Sequence, residues 1–301
     1  MRRQSSPFLR SAFFTVATLA CCLSAQARVY NWATTTGTWD TSSANWTGAG
    51  TTWVNGNAAV FSNTATASTV TLSGTISTTS LLFGNGGNNA NYIISGGTLN
   101  NAGTLIVQGN GGNSGTYSSN PTVTIHSSVA VTGDTAVGRA NLTISGGIYT
   151  TNRFISSDDW ANLTISGGTV TATNGIDGSV NTGTTFQLNL DGGTLYTPSI
   201  KVADREVGTN NNSWLTFNGT TVKATADTTK FITLYGGNQN AYISNGGAII
   251  DTFDGITARN ITIGVILKNT DGQTGTLTKQ GAGTLTDPTW IITYLTIFTS
   301  P

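Results

Sequence analysis

Three aspartates, Asp158, Asp177 and Asp204, are the carboxylates whose spacing could build a reactive face. They fall 12, 10 and 12 residues after Gly146, Gly167 and Gly192, which occupy equivalent places in a recurring motif. In a chain that coils with that motif, the three would lie on one side of successive turns. Carboxylates so placed could hold a divalent cation, or act as an acid–base pair on a polysaccharide. Arg205, Lys201, Glu206 and Asp159 are near enough in sequence to assist with proton transfer or substrate charge. The opposing reading is plainer and is favoured. Aspartate is a turn residue, scattered charges keep a neutral rod in solution, and nothing else in the sequence reinforces the site.

Other chemistry is excluded by composition. His126 is the only histidine and Glu206 the only glutamate, so a histidine-based triad or a multi-histidine metal site has no residues to form it. His126 itself sits in a strand-like segment and reads as structural. The two cysteines, Cys21 and Cys22, both lie in an N-terminal leader. No phosphate loop or dinucleotide fingerprint is present, so neither a cofactor nor a metal is expected. Charged residues make up 9% of the chain, the formal net charge is zero and no basic cluster occurs, which argues against nucleic acid as a partner.

Four tryptophans, Trp32, Trp39, Trp46 and Trp53, recur every seventh residue. The Thr, Gly, Asn and Ser between them would make a poor helix, so short strands and turns carrying one indole each are expected. The indoles could form an aromatic platform that stacks sugar rings. They could instead cover the open end of a stack of strands, which leaves apolar core exposed unless something closes it. The cap is favoured because all four sit at one end of the chain, where a cap is needed.

The element that must position these residues is an eight-residue phrase. Residues 163–170 read LTISGGTV: an alternating half-strand, two glycines, then β-branched residues again. It recurs as LTISGGIY at 142–149, LNLDGGTL at 188–195, YIISGGTL at 92–99, LTFNGTTV at 215–222 and YISNGGAI at 242–249. A degenerate copy at 123–130 has Ser127 and Ser128 in place of the glycines, and an early one ends at Gly74. The glycine-equivalent positions are 74, 96, 127, 146, 167, 192, 219 and 246, a recurring step of about 25 residues that marks a solenoid. The units are rich in Thr, Val, Ile, Asn and Gly and poor in helix formers, so the coil is expected to be β. The fold class that follows is all-β: a single-stranded parallel β-helix with coils of about 25 residues and an N-terminal Trp-rich cap. Gly-Asn runs at 84–92, 109–117 and 236–242 read as turns between strands.

The expected domain layout is a signal peptide at 1–27, a cap at 28–62, repeats at 63–286 and an irregular last segment at 287–301. Arg2, Arg3 and Arg10 precede a short apolar core at 11–23, and Ala25-Gln26-Ala27 fits a cleavage site after Ala27. The residues before Cys21 depart from a lipoprotein cleavage box. Membrane contact is therefore expected only through the leader, before cleavage.

Residues 275–286, GTLTKQGAGTLT, resemble the autotransporter-associated β-strand repeat, whose pattern is close to G-x-L-x-K-x-G-x-G-T-L-x-L. The opening, from Trp39-Asp40 through Asn45-Trp46 to Ala59-Val60-Phe61, is similar to the start of many secreted bacterial proteins that carry these repeats. The resemblance implies a parallel β-helix of the passenger type. After Thr286 the pattern fails at Asp287-Pro288-Thr289-Trp290, so either a truncated passenger without its translocator barrel or a standalone secreted solenoid is expected. The function that follows is a secreted or surface-displayed structural or adhesive solenoid without a catalytic site, meeting cell-surface glycans or other surface proteins. The alternatives are a polysaccharide lyase or hydrolase on the aspartate face, and a carbohydrate-binding module on the tryptophans.

Overall fold

The computed structural model describes residues 26–62, 67–84, 91–109, 120–178, 185–203, 215–235, 240–286 and 297–299. The expected leader, most of the Gly-Asn runs, Asp204 with Arg205, and nearly all of the last segment lie outside these residues. The described residues contain 27 strands and no helix. The strands join in one continuous ladder that wraps into a three-faced parallel β-helix, as the repeat predicted.

Each coil supplies one strand segment to each face. The coil of the LTISGGTV phrase serves as the type. Its 161–166 half pairs in parallel with Asn141–Ile144 below and with 186–190 above, forming the first face. Its 169–172 half lies between Ile148–Thr151 and 194–197, on the second face. Ile176–Asp177 then pairs with Phe154–Ser156 and with Ile200–Ala203, on the third. Parallel strands stack about 4.8 Å apart, so some ten coils make a rod on the order of 45 Å long.

The glycine pair bends the chain between the first and second faces. The strand Ala161–Ala172 runs through this corner unbroken, with its register against the next coil slipping on either side of Ser166. Gly168 takes φ +73°, and a Cβ there would stand 2.5 Å from the carbonyl oxygen of Gly147, its counterpart one coil below. The motif is therefore fixed twice, by a left-handed backbone and by the closeness of stacked corners.

The core is a set of apolar columns, one residue per coil. Val123, Leu142, Leu163, Leu188 and Leu215 stack in register behind the first face, followed two residues on by Ile125, Ile144, Ile165, Leu190 and Phe217. Each such side chain contributes about 1.5–3 kcal/mol by leaving water. One set of buried polar residues lines the corner between the second and third faces, where the backbone supplies partners. Asn101, Thr151 and Thr197 each donate to the carbonyl two residues ahead, at 3.0, 3.2 and 2.9 Å. Thr135 joins Tyr149 at 2.8 Å and Thr151 at 3.0 Å, which satisfies the buried hydroxyls.

The two shortest coils close differently. Their turn from the third face back to the first uses Arg139 at φ +46° and Trp160 at φ +56°, the non-glycine residues with positive φ among those described. A bulky residue held there stores strain that the surrounding ladders must offset.

Candidate functional site

The aspartates expected to form one face are held apart. Asp177 is in register with Ile155 below and Lys201 above. Asp158 lies three residues beyond Ile155, so it is displaced from the Asp177 row by roughly 10 Å along the strand direction. Counting from the glycine put the two nearly level, but coils of unequal length do not keep that count. Asp204 and Arg205 lie outside the described residues.

Each described member is already engaged. Asp158 Oδ2 accepts from Arg139 Nε at 3.0 Å and from Gln108 Nε2 at 3.2 Å, while Oδ1 accepts the backbone N–H of Asp159 at 2.8 Å. Ser157 Oγ donates to Gln108 Oε1 at 2.9 Å, so the cluster clasps three coils together. Gly138 makes the space: a Cβ there would lie 2.5 Å from Ser157 Oγ and 2.6 Å from Gln108 Oε1. Asp177 pairs with Lys201 Nζ at 3.2 Å, Asp134 with Arg153 Nη2 at 2.7 Å, and Asp251 with Lys223. All four pairs join neighbouring coils. Burial works to raise the pKa of Asp134, but hydrogen bonds from Arg153 and Asn152 and the Arg153 charge outweigh it and hold the carboxyl below its usual range. This arrangement holds Asp134 ionised and leaves each of the four carboxylates occupied by a cation. An acid–base pair needs one carboxyl that exchanges protons near the working pH.

One contact with a chemical look is absent from the sequence reading. Ser145 Oγ and His126 Nδ1 are 2.8 Å apart across adjacent coils. Both residues immediately precede a glycine-equivalent, at 146 and 127, so aligning the repeats would have placed them together. A hydroxyl beside an imidazole is nucleophile–base geometry. This pair sits exposed on the outer corner, and Asp191, the nearest carboxylate along that corner, lies in the coil beyond Ser166, on the far side from His126. Among the described residues, the histidine thus lacks the orienting carboxylate of a triad.

The tryptophans form the cap. Trp32 is 6% exposed, and Trp39, Trp46 and Trp53 are 1% exposed or less. Trp46 is central, with ring centroids 5.0–5.1 Å from Trp39, Trp53 and Trp32, and Tyr30 and Phe61 close the cluster. Val29–Trp32 pairs with Trp46–Gly48 on one side and with Asn57–Phe61 on the other, so the cap is itself the first layer of the ladder. Below the second-face segment 75–78 only Asn57 is in register, opposite Thr78, and Asn55 supplies a partner beside it. Its Oδ1 accepts Ser77 N–H and Trp53 Nε1–H, both at 2.9 Å. A sugar-stacking platform needs open indole faces, and these are covered.

The three outer faces differ in chemistry. On the first, Thr124, Thr143, Thr164, Asn189 and Thr216 form the middle of one row, which Ile93 continues on one side and Tyr242 and Lys268 on the other, beside a second row of Thr122, Asn141, Asn162 and Gln187. Asn162 donates to Asn141 at 3.3 Å within the second row, and Asn189 donates to Asn162 at 3.0 Å between the rows. On the third face, Val60, Leu82, Ile106, Ala136 and Ile155 form an aliphatic row that gives way to the Asp177–Lys201 pair. The second carries a shallow, threonine-rimmed groove of about 350 Å³ between Ala130, Thr150 and Asn152. Compared with protein families, curated proteins and solved structures, the chain matches none.

Proposed function

We propose that this chain is an exported, passenger-type β-solenoid, related to proteins with autotransporter-associated repeats, that works as a structural or adhesive module at or beyond the cell surface. The observation that carries this reading is the use of its charges. Each described aspartate on the expected reactive face is spent joining coils, while the outer faces stay regular over many layers. A long, repetitive surface favours many weak contacts over one strong one. The polysaccharide-enzyme alternative, on Asp158 and Asp177 with Asp204 and Arg205, finds less support because two of its carboxylates are tied to cations.

The test is expression with the native leader in a bacterial host. The expected result is a product in the medium or on the cell surface whose first residue is Arg28, and which attaches to cells without degrading their polysaccharides. Retention of the uncut chain in the cytoplasm, or release of reducing sugar from a polysaccharide panel, would overturn it.

A further inference from the structure

We infer that the first face, along the rows Thr124–Thr143–Thr164 and Thr122–Asn141–Asn162, is the contact surface, and that it takes an extended, uncharged glycan chain. This rests on the adhesive reading and gives it a place and a partner. The two rows present nine side chains between Thr122 and Thr216, all hydroxyl or carboxamide and none charged. All nine are half-buried, so they stand as a fixed layer and not as loose chains.

The chemistry of that layer narrows the partner. Hydroxyls and carboxamides both donate and accept hydrogen bonds, which suits a polyol whose own hydroxyls do the same. Nucleic acid and acidic polysaccharide need cations, and these nine positions contain none, Lys268 standing two coils beyond Thr216. A protein partner needs a buried apolar or aromatic centre. That character belongs to the third face, with its row from Val60 to Ile155. A small soluble ligand needs a concavity, whereas the first face is a flat sheet. Successive coils repeat every 4.8 Å or so, and residues two apart on a strand lie about 7 Å apart, giving a regular grid. The aromatic ring of this row, Tyr242, stands one coil beyond Thr216, so along the coils from Thr122 to Asn189 each contact is weak. Binding must come from several coils acting on one polymer. An insoluble or surface-fixed neutral glycan supplies that repetition, and a free oligosaccharide does not.

The test uses the purified chain, microcrystalline cellulose and chitin particles as neutral glycans, and polygalacturonate-coated beads as the charged comparison. Depletion of protein from the supernatant is measured. Binding is expected to one or both neutral solids and not to polygalacturonate. The triple variant T124V/T143V/T164V keeps β-branched residues and should keep the fold, checked by circular dichroism and melting. Loss of its three hydroxyls is expected to weaken binding about tenfold or more. Replacing Ile106 by lysine, on the third face, is expected to leave glycan binding unchanged. Equal binding by the triple variant, preference for polygalacturonate, or binding abolished only by Ile106→Lys would overturn the assignment. Attachment to intact cells that persists after periodate oxidation of their glycans would overturn the glycan inference while leaving the adhesive reading in place. Attachment to neither cells nor glycans would overturn both.

Discussion

Gly168 and Gly74 share a backbone angle and differ in surroundings, which separates two costs. Both have φ +73°. A Cβ on Gly168 would meet the Gly147 carbonyl at 2.5 Å, while one on Gly74 meets nothing within 4 Å. Gly74→Ala should therefore cost about 1 kcal/mol, the left-handed strain alone. Gly168→Ala should cost about 2–4 kcal/mol, because the corner must also move apart from the coil below. Urea unfolding of the two variants checks the difference, and equal losses would mean that stacking at the corner is unimportant. Two further carboxylates add to the acid sensitivity that Asp134 brings. Asp40 is held at a pKa of about 2 by backbone N–H bonds from Ser43 and Ser42, and Asp254 at about 2 by Thr257 N–H, then Arg259. Both lie below the unfolded value near 3.9, so their stabilisation is complete above it and is lost as pH falls towards 2. Melting temperature should be flat with respect to these groups above about pH 5, then fall below pH 4. In D40N/D254N that fall should be shallower.

At the scale of elements, the cap is where one substitution should do most harm. Trp46 touches Trp32, Trp39, Trp53, Tyr30 and Phe61, and opens the strand that pairs with Val29–Trp32. Trp46→Ala should cost about 3–5 kcal/mol. Because coils contact chiefly their neighbours, the loss should spread from the end inwards. Hydrogen exchange should rise in 29–83 and stay low near 186–197. Uniform loss of protection along the rod would show that the molecule unfolds as one unit and that the cap has no separate role. The repeat made these elements legible: the alternating halves of LTISGGTV became strands on two faces, as their pattern required. The short third strand, such as Phe154–Ser156, leaves only a brief apolar run in the sequence. The clasp of Gln108, Arg139, Ser157 and Asp158 was not legible, since its members are as much as 50 residues apart in sequence.

For the whole molecule, the amino-acid sequence by itself determined the architecture. A periodic phrase with glycines at fixed places, β-branched residues between them and hardly any charge admits one economical solution, a parallel coil whose layers cover one another. It also determined that an end cap was needed and supplied the indoles. What only the tertiary structure decided is which residues become neighbours across layers. Coil length varies, so distance from the glycine does not predict height on a face. Asp158 and Asp177, close by that count, fall on different rows, while His126 and Ser145 meet. The same folding fixed which side of each strand faces outward together. That turned scattered threonines and asparagines into an uncharged grid, and scattered aliphatics into a separate row on another face. Alternation along a strand is local and legible in sequence, whereas the chemistry of a face is a sum over layers that only register can assemble.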